Sequence, residues 1–342
     1  MEFRVGITRD FLKPDGSLGF GDIGLGLLDQ NPDPRWEFLP EACDEIAPEV
    51  ADEYDALLVL APRVTARTVD ACRRLSLIAR FGVGYDNVDV DACTRNGVML
   101  SITPQSVRRP VATSALAFLL ALSHKLLIKD RLTRSGRWQE KLDYMGMGLT
   151  GRTLGMIGLG NIGRELLRLT APLEMRHVAF DPYITGESAA AAGVELLALD
   201  TLLMEADFVV VCCALTGNTR HLIDRRRLKL MKPTSYLINI ARGPIVDQAA
   251  LSEALVERRI AGAALDVFET EPVSDDDPLL KLDNVIVAPH AIAWTDELFL
   301  GNGRAACQSI LDVAQGRIPA HIVNRQVREH PALKEKLNRN RS

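Results

Sequence analysis

The feature that most restricts how this chain can fold is a glycine turn, G-x-G-x-x-G, at residues 158–163. An apolar run, residues 153–157, leads into the turn and a helical pattern leaves it, which predicts a strand–turn–helix unit of an α/β fold. In such a unit Gly158 allows the tight turn, Gly160 lets a pyrophosphate approach the backbone, and Gly163 lets the helix pack against the strand. The amides and the dipole at the helix start then face the phosphates. The turn therefore indicates a dinucleotide site.

A carboxylate at the predicted end of the next strand strengthens that interpretation. Asp181 follows the apolar residues 178–180, about 20 residues beyond the turn. A carboxylate in this place accepts hydrogen bonds from the adenine ribose hydroxyls and repels a 2′-phosphate. A glycine triplet alone is weak support, because such turns are common in α/β proteins. Together with Asp181, the turn favours NAD over NADP.

Length and composition describe an ordinary globular protein. The chain has 342 residues, which suggests two domains, and 47% of them are hydrophobic. Its formal net charge of −5 indicates neither nucleic acid nor an anionic membrane as a partner. The six cysteines form no C-x-x-C pair, so we expect neither a metal site nor a disulfide framework. Without a signal-like or membrane-spanning apolar run, we expect a cytoplasmic protein.

Strand and helix patterns alternate in two stretches, which predicts two Rossmann-like or flavodoxin-like domains with parallel sheets. We expect a substrate domain from residues 1–102 and 294–330, and an inserted NAD-binding domain from residues 103–293. Unbroken β-branched runs such as residues 208–213 are typical of strands buried on both faces. Because the chain crosses between the domains twice, we expect two hinges and a ligand cleft.

Two segments outside these strands also carry predictions. The stretch from Val111 to about Ser135 is rich in alanine and leucine and apolar on most faces. We therefore expect one long helix that is buried or lies in an interface, and a homodimer. The tail from Arg325 onward is charged, and we expect it to be frayed.

Three ionisable residues follow the predicted ends of successive strands in the second domain: Arg242, Glu271 and His290. The carboxyl ends of parallel strands are where such folds bind ligands. An arginine fork can hold a carboxylate, and a histidine can pass a proton to or from an alcohol oxygen near neutral pH. A carboxylate beside that histidine favours the imidazolium and orients the ring. Taken singly, each residue is more often a surface ion pair, a turn residue or a loop residue; their joint placement predicts acid–base chemistry on a hydroxy acid.

Longer motifs around these residues resemble the signatures of the D-isomer-specific 2-hydroxyacid dehydrogenases, including the glycerate or hydroxypyruvate reductases and the phosphoglycerate dehydrogenases. The resemblance extends from about Leu57 to Asn324. It implies hydride transfer between nicotinamide C4 and C2 of a small 2-hydroxy acid or 2-keto acid. The matching segments are F-G-V-G-Y-D-N-V-D at 81–89, N-I-A-R-G-P-I-V-D at 239–247, A-G-A-A-L-D-V-F-E-T-E-P at 261–272, and Pro289-His290.

The resemblance also implies residue roles. Arg242 binds the substrate carboxylate and carbonyl, His290 is the acid in reduction and the base in oxidation, and Glu271 is the partner of His290. The remaining implied contacts are the amides of Val83 and Gly84 for the substrate carboxylate, Asp266 for the nicotinamide carboxamide, and Asn161, Ile162, Cys213 and Ile240 along the cofactor.

Among the departures from the commonest family pattern, two leave the role of a residue open. Arg108 and Arg109 stand near the expected hinge, where they could reach an anionic substrate tail or a cofactor phosphate, or be surface charge at a helix start. Trp294 is similar to the tryptophan of glyoxylate or hydroxypyruvate reductases and of the C-terminal-binding corepressors, and could line the pocket or a dimer interface. Because those corepressors share the fold and the three residues, an NAD-sensing binding protein without enzymatic activity is the alternative function.

Overall fold

The structure is a computed structural model that describes residues 2–31, 33–70 and 72–340. It divides into two compact units, each described by itself. Unit 1 comprises Met1–Val107 and Trp294–Ser342, and unit 2 comprises Arg108–Ala293. The first division falls inside a helix. The sequence analysis placed the domain boundaries after residues 102 and 293, and these boundaries stay a prediction.

The strands of both units are short and follow the apolar runs of the sequence. In chain order they are β1 Arg4–Ile7, β2 Arg35–Phe38, β3 Ala56–Val59, β4 Leu77–Arg80, β5 Met99–Ser101, β6 Thr153–Ile157, β7 Arg176–Phe180, β8 Glu195–Leu196, β9 Phe208–Val211, β10 Tyr236–Asn239, β11 Gly262–Leu265 and β12 Val285–Val287.

Helices connect almost every pair of strands. In chain order they are α1 Gly26–Asp29, α2 Pro48–Ala51, α3 Ala66–Asp70, α4 Val90–Arg95, α5 Pro104–Ser123, α6 Leu126–Arg134, α7 Asn161–Thr170, α8 Gly186–Ala191, α9 Leu199–Glu205, α10 Arg225–Leu228, α11 Gln248–Val256, α12 Asp296–Ala314 and α13 Pro331–Asn340.

Unit 1 contains a five-stranded parallel sheet in the order β2-β1-β3-β4-β5. This is the flavodoxin-like order, in which the strand sequence reverses beside β1. All four residues of β3 are buried, as expected for a central strand with helices on both faces. The segment after β4, which begins at Phe81, lies at the carboxyl edge of this sheet.

Unit 2 contains a seven-stranded parallel sheet in the order β12-β11-β10-β9-β6-β7-β8. This is the doubly wound order of dinucleotide-binding folds, and the order reverses between β6 and β9. Alternate residues of β9 enter two different cores: Val209 and Val211 lie in one, Phe208 and Val210 in the other. The unbroken apolar run is therefore explained by two covered faces, and the predicted α/β fold is confirmed.

The prediction of one helix over residues 111–135 is wrong. Helix α5 begins at Pro104 and ends at Ser123, and α6 starts after Lys125, which has a left-handed backbone with φ of 52°. Neither glycine nor proline marks this break in the sequence. No single helix among the described residues is both long and apolar enough to span a membrane; α5 and α6 reach that length and composition only together, across a bend of 58°.

The prediction of a frayed tail is also wrong. Helix α13 buries Leu333, Lys336 and Leu337 in unit 1. The ammonium of Lys336 donates to the carbonyl oxygens of Leu75 at 2.7 Å and Asn96 at 3.2 Å. The tail is thus held by packing and by hydrogen bonds to the segments that precede β4 and β5.

Candidate active site

In the glycine turn of unit 2, close packing requires glycine at two of the three positions. Gly158 has φ of 100°, and a Cβ there would lie 2.8 Å from the backbone nitrogen of Cys213. A Cβ on Gly163 would lie 2.6 Å from the carbonyl oxygen of Gly158. The strands β6 and β9 and the start of α7 can approach this closely only because both positions lack a side chain.

The second glycine leaves space for a ligand. No atom lies within 4 Å of a Cβ built on Gly160, which precedes the ten-residue helix α7. The amides of Asn161, Ile162 and Gly163 donate to no acceptor among the residues that the structure describes. Free amides at a helix N-terminus, beside an open glycine, fit a pyrophosphate. The residues present therefore fit the NAD(P) that the turn predicts.

Asp181 lies directly after β7, where the sequence places it. Its Oδ2 accepts a hydrogen bond from the Leu159 amide at 2.8 Å, and its Oδ1 accepts one from the Tyr183 amide at 2.9 Å. The carboxylate is thereby fixed to the middle of the glycine turn. A carboxylate with one bond on each oxygen still has lone pairs for two ribose hydroxyls.

The segment after β10 presents Arg242. The buried Asn239 fixes its course: Oδ1 accepts from the Ala241 amide at 3.1 Å, and Nδ2 donates to the Arg242 carbonyl at 3.0 Å. A Cβ on Gly243 would lie 1.9 Å from the carbonyl carbon of Phe268. This segment therefore lies directly against the one that follows β11, and glycine is the only residue that fits there.

Glu271 and His290 are in direct contact. Nδ1 of His290 lies 2.7 Å from Oε2 of Glu271, whose Oε1 accepts the Phe268 amide at 2.9 Å. Burial raises the pKa of the Glu271 carboxyl, but the hydrogen bonds from His290 and Phe268 outweigh it, and Arg242 adds a smaller effect in the same direction. The pKa of Glu271 therefore lies below its ordinary value. The structure thus brings the three predicted residues together.

The backbone at His290 is left-handed, with φ of 55°. This conformation is uncommon for a residue with a side chain, and a surrounding structure must hold it. Asp266 does so, since its Oδ1 accepts the amides of Ala291 at 2.9 Å and Ile292 at 3.1 Å. Burial raises the pKa of Asp266, although those two bonds oppose the effect. The resemblance placed Asp266 on the cofactor; its observed contacts hold the segment that carries His290.

A second imidazole–carboxylate pair was not predicted from the sequence. Nε2 of His221 lies 2.7 Å from Oε1 of Glu269, two residues before Glu271. The His221 amide donates to the Pro244 carbonyl at 2.8 Å, two residues after Arg242. This pair therefore ties together the segments that follow β9, β10 and β11. Sequence spacing gave no signal, because the two side chains are 48 residues apart.

Arg108 and Arg109 surround a buried carboxylate. Glu165 on α7 is 7% exposed and lies 2.8 Å from Arg109, 2.8 Å from Arg168 and 3.8 Å from Arg108. Both arginines therefore pair with Glu165, as Arg168 does.

In unit 1, the segment after β4 offers unpaired backbone donors. Gly82 has φ of 132°, its amide donates to the Arg80 carbonyl at 3.0 Å, and its carbonyl accepts the Thr103 amide at 3.0 Å. The next two amides, of Val83 and Gly84, donate to none of the described residues. Two neighbouring free amides suit a carboxylate, which is the role that the resemblance assigns to them.

The sequence profile of the D-isomer specific 2-hydroxyacid dehydrogenase family, NAD binding domain, matches residues 116–291. A glyoxylate reductase of Thermococcus onnurineus is 39% identical over 299 residues, which cover 85% of this chain and 89% of that relative. This chain belongs to the D-isomer specific 2-hydroxyacid dehydrogenase family. A D-3-phosphoglycerate dehydrogenase of Archaeoglobus fulgidus is also 39% identical, over 82% of this chain, but the match spans only 53% of that relative.

Solved structures agree with this assignment. The TT0316 protein from Thermus thermophilus superposes with a TM-score of 0.82 and 29% identity, over 94% of this chain and 100% of that chain. A glyoxylate reductase from Paecilomyes thermophila gives a TM-score of 0.79 with 25% identity, over 95% of this chain and 100% of that one. The chain is therefore an enzyme of the D-2-hydroxyacid dehydrogenase type that uses a nicotinamide cofactor.

Proposed function

We propose that this enzyme interconverts a small 2-keto acid and its D-2-hydroxy acid with NAD(H), and that Arg242, Glu271 and His290 carry out the chemistry. The observation that carries the proposal is the 2.7 Å contact of His290 with Glu271, beside Arg242. A proton carrier paired with a carboxylate, next to a guanidinium, is the set of groups that reduction of a keto acid needs.

When bound, the nicotinamide cofactor supplies or accepts the hydride at C2 of the substrate. In reduction His290 donates a proton to the developing alkoxide oxygen, and in oxidation it removes that proton. Glu271 stabilises the charged imidazole and orients the ring. Arg242 binds the substrate carboxylate and polarises the keto oxygen. In unit 1, the free amides of Val83 and Gly84 are suited to a carboxylate.

NAD is the cofactor that Asp181 favours. A 2′-phosphate beside this carboxylate would meet a like charge, whereas ribose hydroxyls donate to it. The pyrophosphate binds at the amides of Asn161, Ile162 and Gly163, and Cys213, Ile240 and Asp266 line the rest of the cofactor. The cytoplasmic location stays a prediction.

The functional test is NADH oxidation with glyoxylate, pyruvate, hydroxypyruvate and longer 2-keto acids. We expect turnover with at least one of them, and loss of that turnover in His290→Asn with nearly unchanged NADH affinity. Undiminished turnover in His290→Asn would remove this residue as proton carrier. Tight NADH binding without turnover on any acid would favour the NAD-sensing alternative.

The homodimer is part of the same proposal. Large apolar side chains of unit 2 are exposed in and after α6: Leu126, Leu127, Trp138, Leu142 and Met145 are between 44% and 82% exposed. Apolar groups concentrated in this way mark interaction sites in soluble proteins. A cavity of about 420 Å³, lined in part by Leu122, Leu127 and Ile128, lies in the same region. Leu142→Glu with Met145→Glu should yield a monomer in sedimentation experiments; a native protein that is already monomeric would contradict the dimer.

A further inference from the structure

Five aromatic side chains of unit 1 form one continuous cluster, the aromatic cluster of Phe11, Phe20, Phe81, Trp294 and Phe299. The ring of Phe20 stacks on Phe299 with centroids 4.3 Å apart and planes 6° apart. Trp294 meets Phe20 edge-on at 5.1 Å and Phe299 at 5.5 Å. Phe299 lies 5.7 Å from Phe81, and Phe81 lies 4.9 Å from Phe11.

The cluster has a buried base and an open front. Phe11, Phe81 and Phe299 are at most 4% exposed, whereas Trp294 is 51% exposed and Phe20 is half-buried. Packing of the core explains the base. Core packing does not explain why the indole of Trp294 is held edge-on against two rings while half of its surface stays open. Rings fixed in this way form an aromatic wall that can receive an apolar group.

The loop that carries Phe20 is fixed in place by helix α12. A Cβ on Gly303 would lie 1.6 Å from the carbonyl oxygen of Ile23, so the loop backbone lies directly on the helix. Ile23 is fully buried, and Asp22 accepts the Gly24 amide at 2.7 Å. Phe20 is thus held on Phe299 by the course of its backbone as well as by its own stacking.

The base of the cluster adjoins the proposed carboxylate site. Phe81 directly precedes Gly82, and the free amides of Val83 and Gly84 follow. Phe299 contacts Phe81, Phe20 and Trp294, and so links this segment to the exposed front of the cluster.

We propose that Phe20 and Trp294 are the specificity-determining residues of this enzyme, and that they select 2-keto acids with an apolar branched or aryl group on C3. This inference rests on the proposed function, since it needs a 2-keto acid bound through its carboxylate. It differs from the activity named for the glyoxylate reductases, because glyoxylate has no C3 atom to contact the two rings.

The experiment compares kcat/KM for phenylpyruvate, 2-ketoisocaproate and glyoxylate in the full-length native protein, Trp294→Ala and Phe20→Ala. We expect the native protein to prefer the two larger acids. Each variant should lower that preference by about tenfold or more, with kcat/KM for glyoxylate nearly unchanged. The matched control is Trp36→Phe, on β2 of the same unit, where the indole N–H only donates to Asp29; it should leave the preference as it is.

A second measurement does not depend on alanine variants that fold. In a Trp36→Phe, Trp138→Phe protein, Trp294 is the one remaining tryptophan, and phenyllactate added with NADH should quench its fluorescence where glycolate does not. If the native protein and both variants turn over 2-keto acids with the same preference among them, the specificity role of Phe20 and Trp294 is overturned and the proposed function stands. The same holds if phenyllactate does not quench Trp294 more than glycolate does. No turnover with any 2-keto acid by the native protein would overturn both.

Discussion

His290 and Glu271 form a pair in which the carboxylate also accepts a backbone hydrogen bond. Nδ1 of His290 lies 2.7 Å from Glu271, and the second carboxylate oxygen of Glu271 accepts the Phe268 amide at 2.9 Å. The ring orientation is therefore set by a carboxylate that is itself fixed to the backbone. Nε2 is the nitrogen left for proton exchange with a substrate.

Glu271→Gln tests the charge of this pair with little change of shape. The amide oxygen can still accept from Phe268, but the negative charge that favours the protonated imidazole is gone. We expect kcat/KM for keto acid reduction to fall about tenfold or more at neutral pH, and the alkaline limb of its pH profile to move to lower pH. Glu269→Gln is the control, because that carboxylate pairs with His221. Identical pH profiles for Glu271→Gln and the native enzyme would contradict the assigned role.

Asp181→Ala tests the choice of cofactor. Loss of the carboxylate removes the acceptor for ribose hydroxyls and the charge that opposes a 2′-phosphate. We expect the Kd of NADH to rise about tenfold, and the Kd of NADPH to rise less or to fall. Asp200→Ala, an exposed carboxylate of the same unit that pairs with Arg226, controls for general loss of charge. Fluorescence titration measures both constants; an equal loss for both cofactors would show that Asp181 only supports the glycine turn.

Gly243→Ala tests the packing between the segments of Arg242 and Glu271. The added methyl would lie 1.9 Å from the Phe268 carbonyl carbon, so one of the two segments must move. We expect a loss of about 1–3 kcal/mol or more in the free energy of unfolding. We also expect kcat/KM of the protein that stays folded to fall, because Arg242 and Glu271 move apart. Gly217→Ala is the matched control, since nothing lies within 4 Å of its Cβ. Denaturant unfolding and steady-state kinetics separate the two effects.

Lys336 predicts a pH-dependent stability. Burial lowers the pKa of its ammonium from 10.5 to about 8 in the folded protein. The unfolded chain therefore binds the proton more strongly than the folded protein does. As a result, the free energy of unfolding rises as pH increases from about 8 to 10.5, and this gain in stability is absent below pH 8. The full change is roughly 3 kcal/mol at most. Lys336→Met should remove this rise in urea unfolding between those pH values, and an unchanged difference between the two proteins across that range would contradict it.

The glycine turn, Asp181 and the three residues at the strand ends could be predicted because each depends on local spacing. A strand, its turn and the first residue beyond it are neighbours in the chain, and parallel strands bring their carboxyl ends to one edge. The same reasoning predicted both sheets. Strands β2 and β8 were missed, since each is short and carries polar residues at a sheet edge.

Contacts between distant side chains could not be predicted in this way. The pairing of His221 with Glu269, the hold of Asp266 on the His290 segment, and the three arginines around Glu165 all depend on how segments lie in space. Helix α13 did carry a signal: Leu333 and Leu337 are four residues apart after Pro331, a helical spacing outweighed by the charge of the tail.

The most direct test of the central account is a single turnover of the enzyme with pyruvate or hydroxypyruvate and NADH that carries deuterium in both C4 positions. We predict a D-2-hydroxy acid that carries deuterium at C2, and in His290→Asn bound NADH that is not consumed. An L-hydroxy acid, a product without deuterium at C2, or full transfer in His290→Asn would contradict hydride transfer assisted by the His290–Glu271 pair.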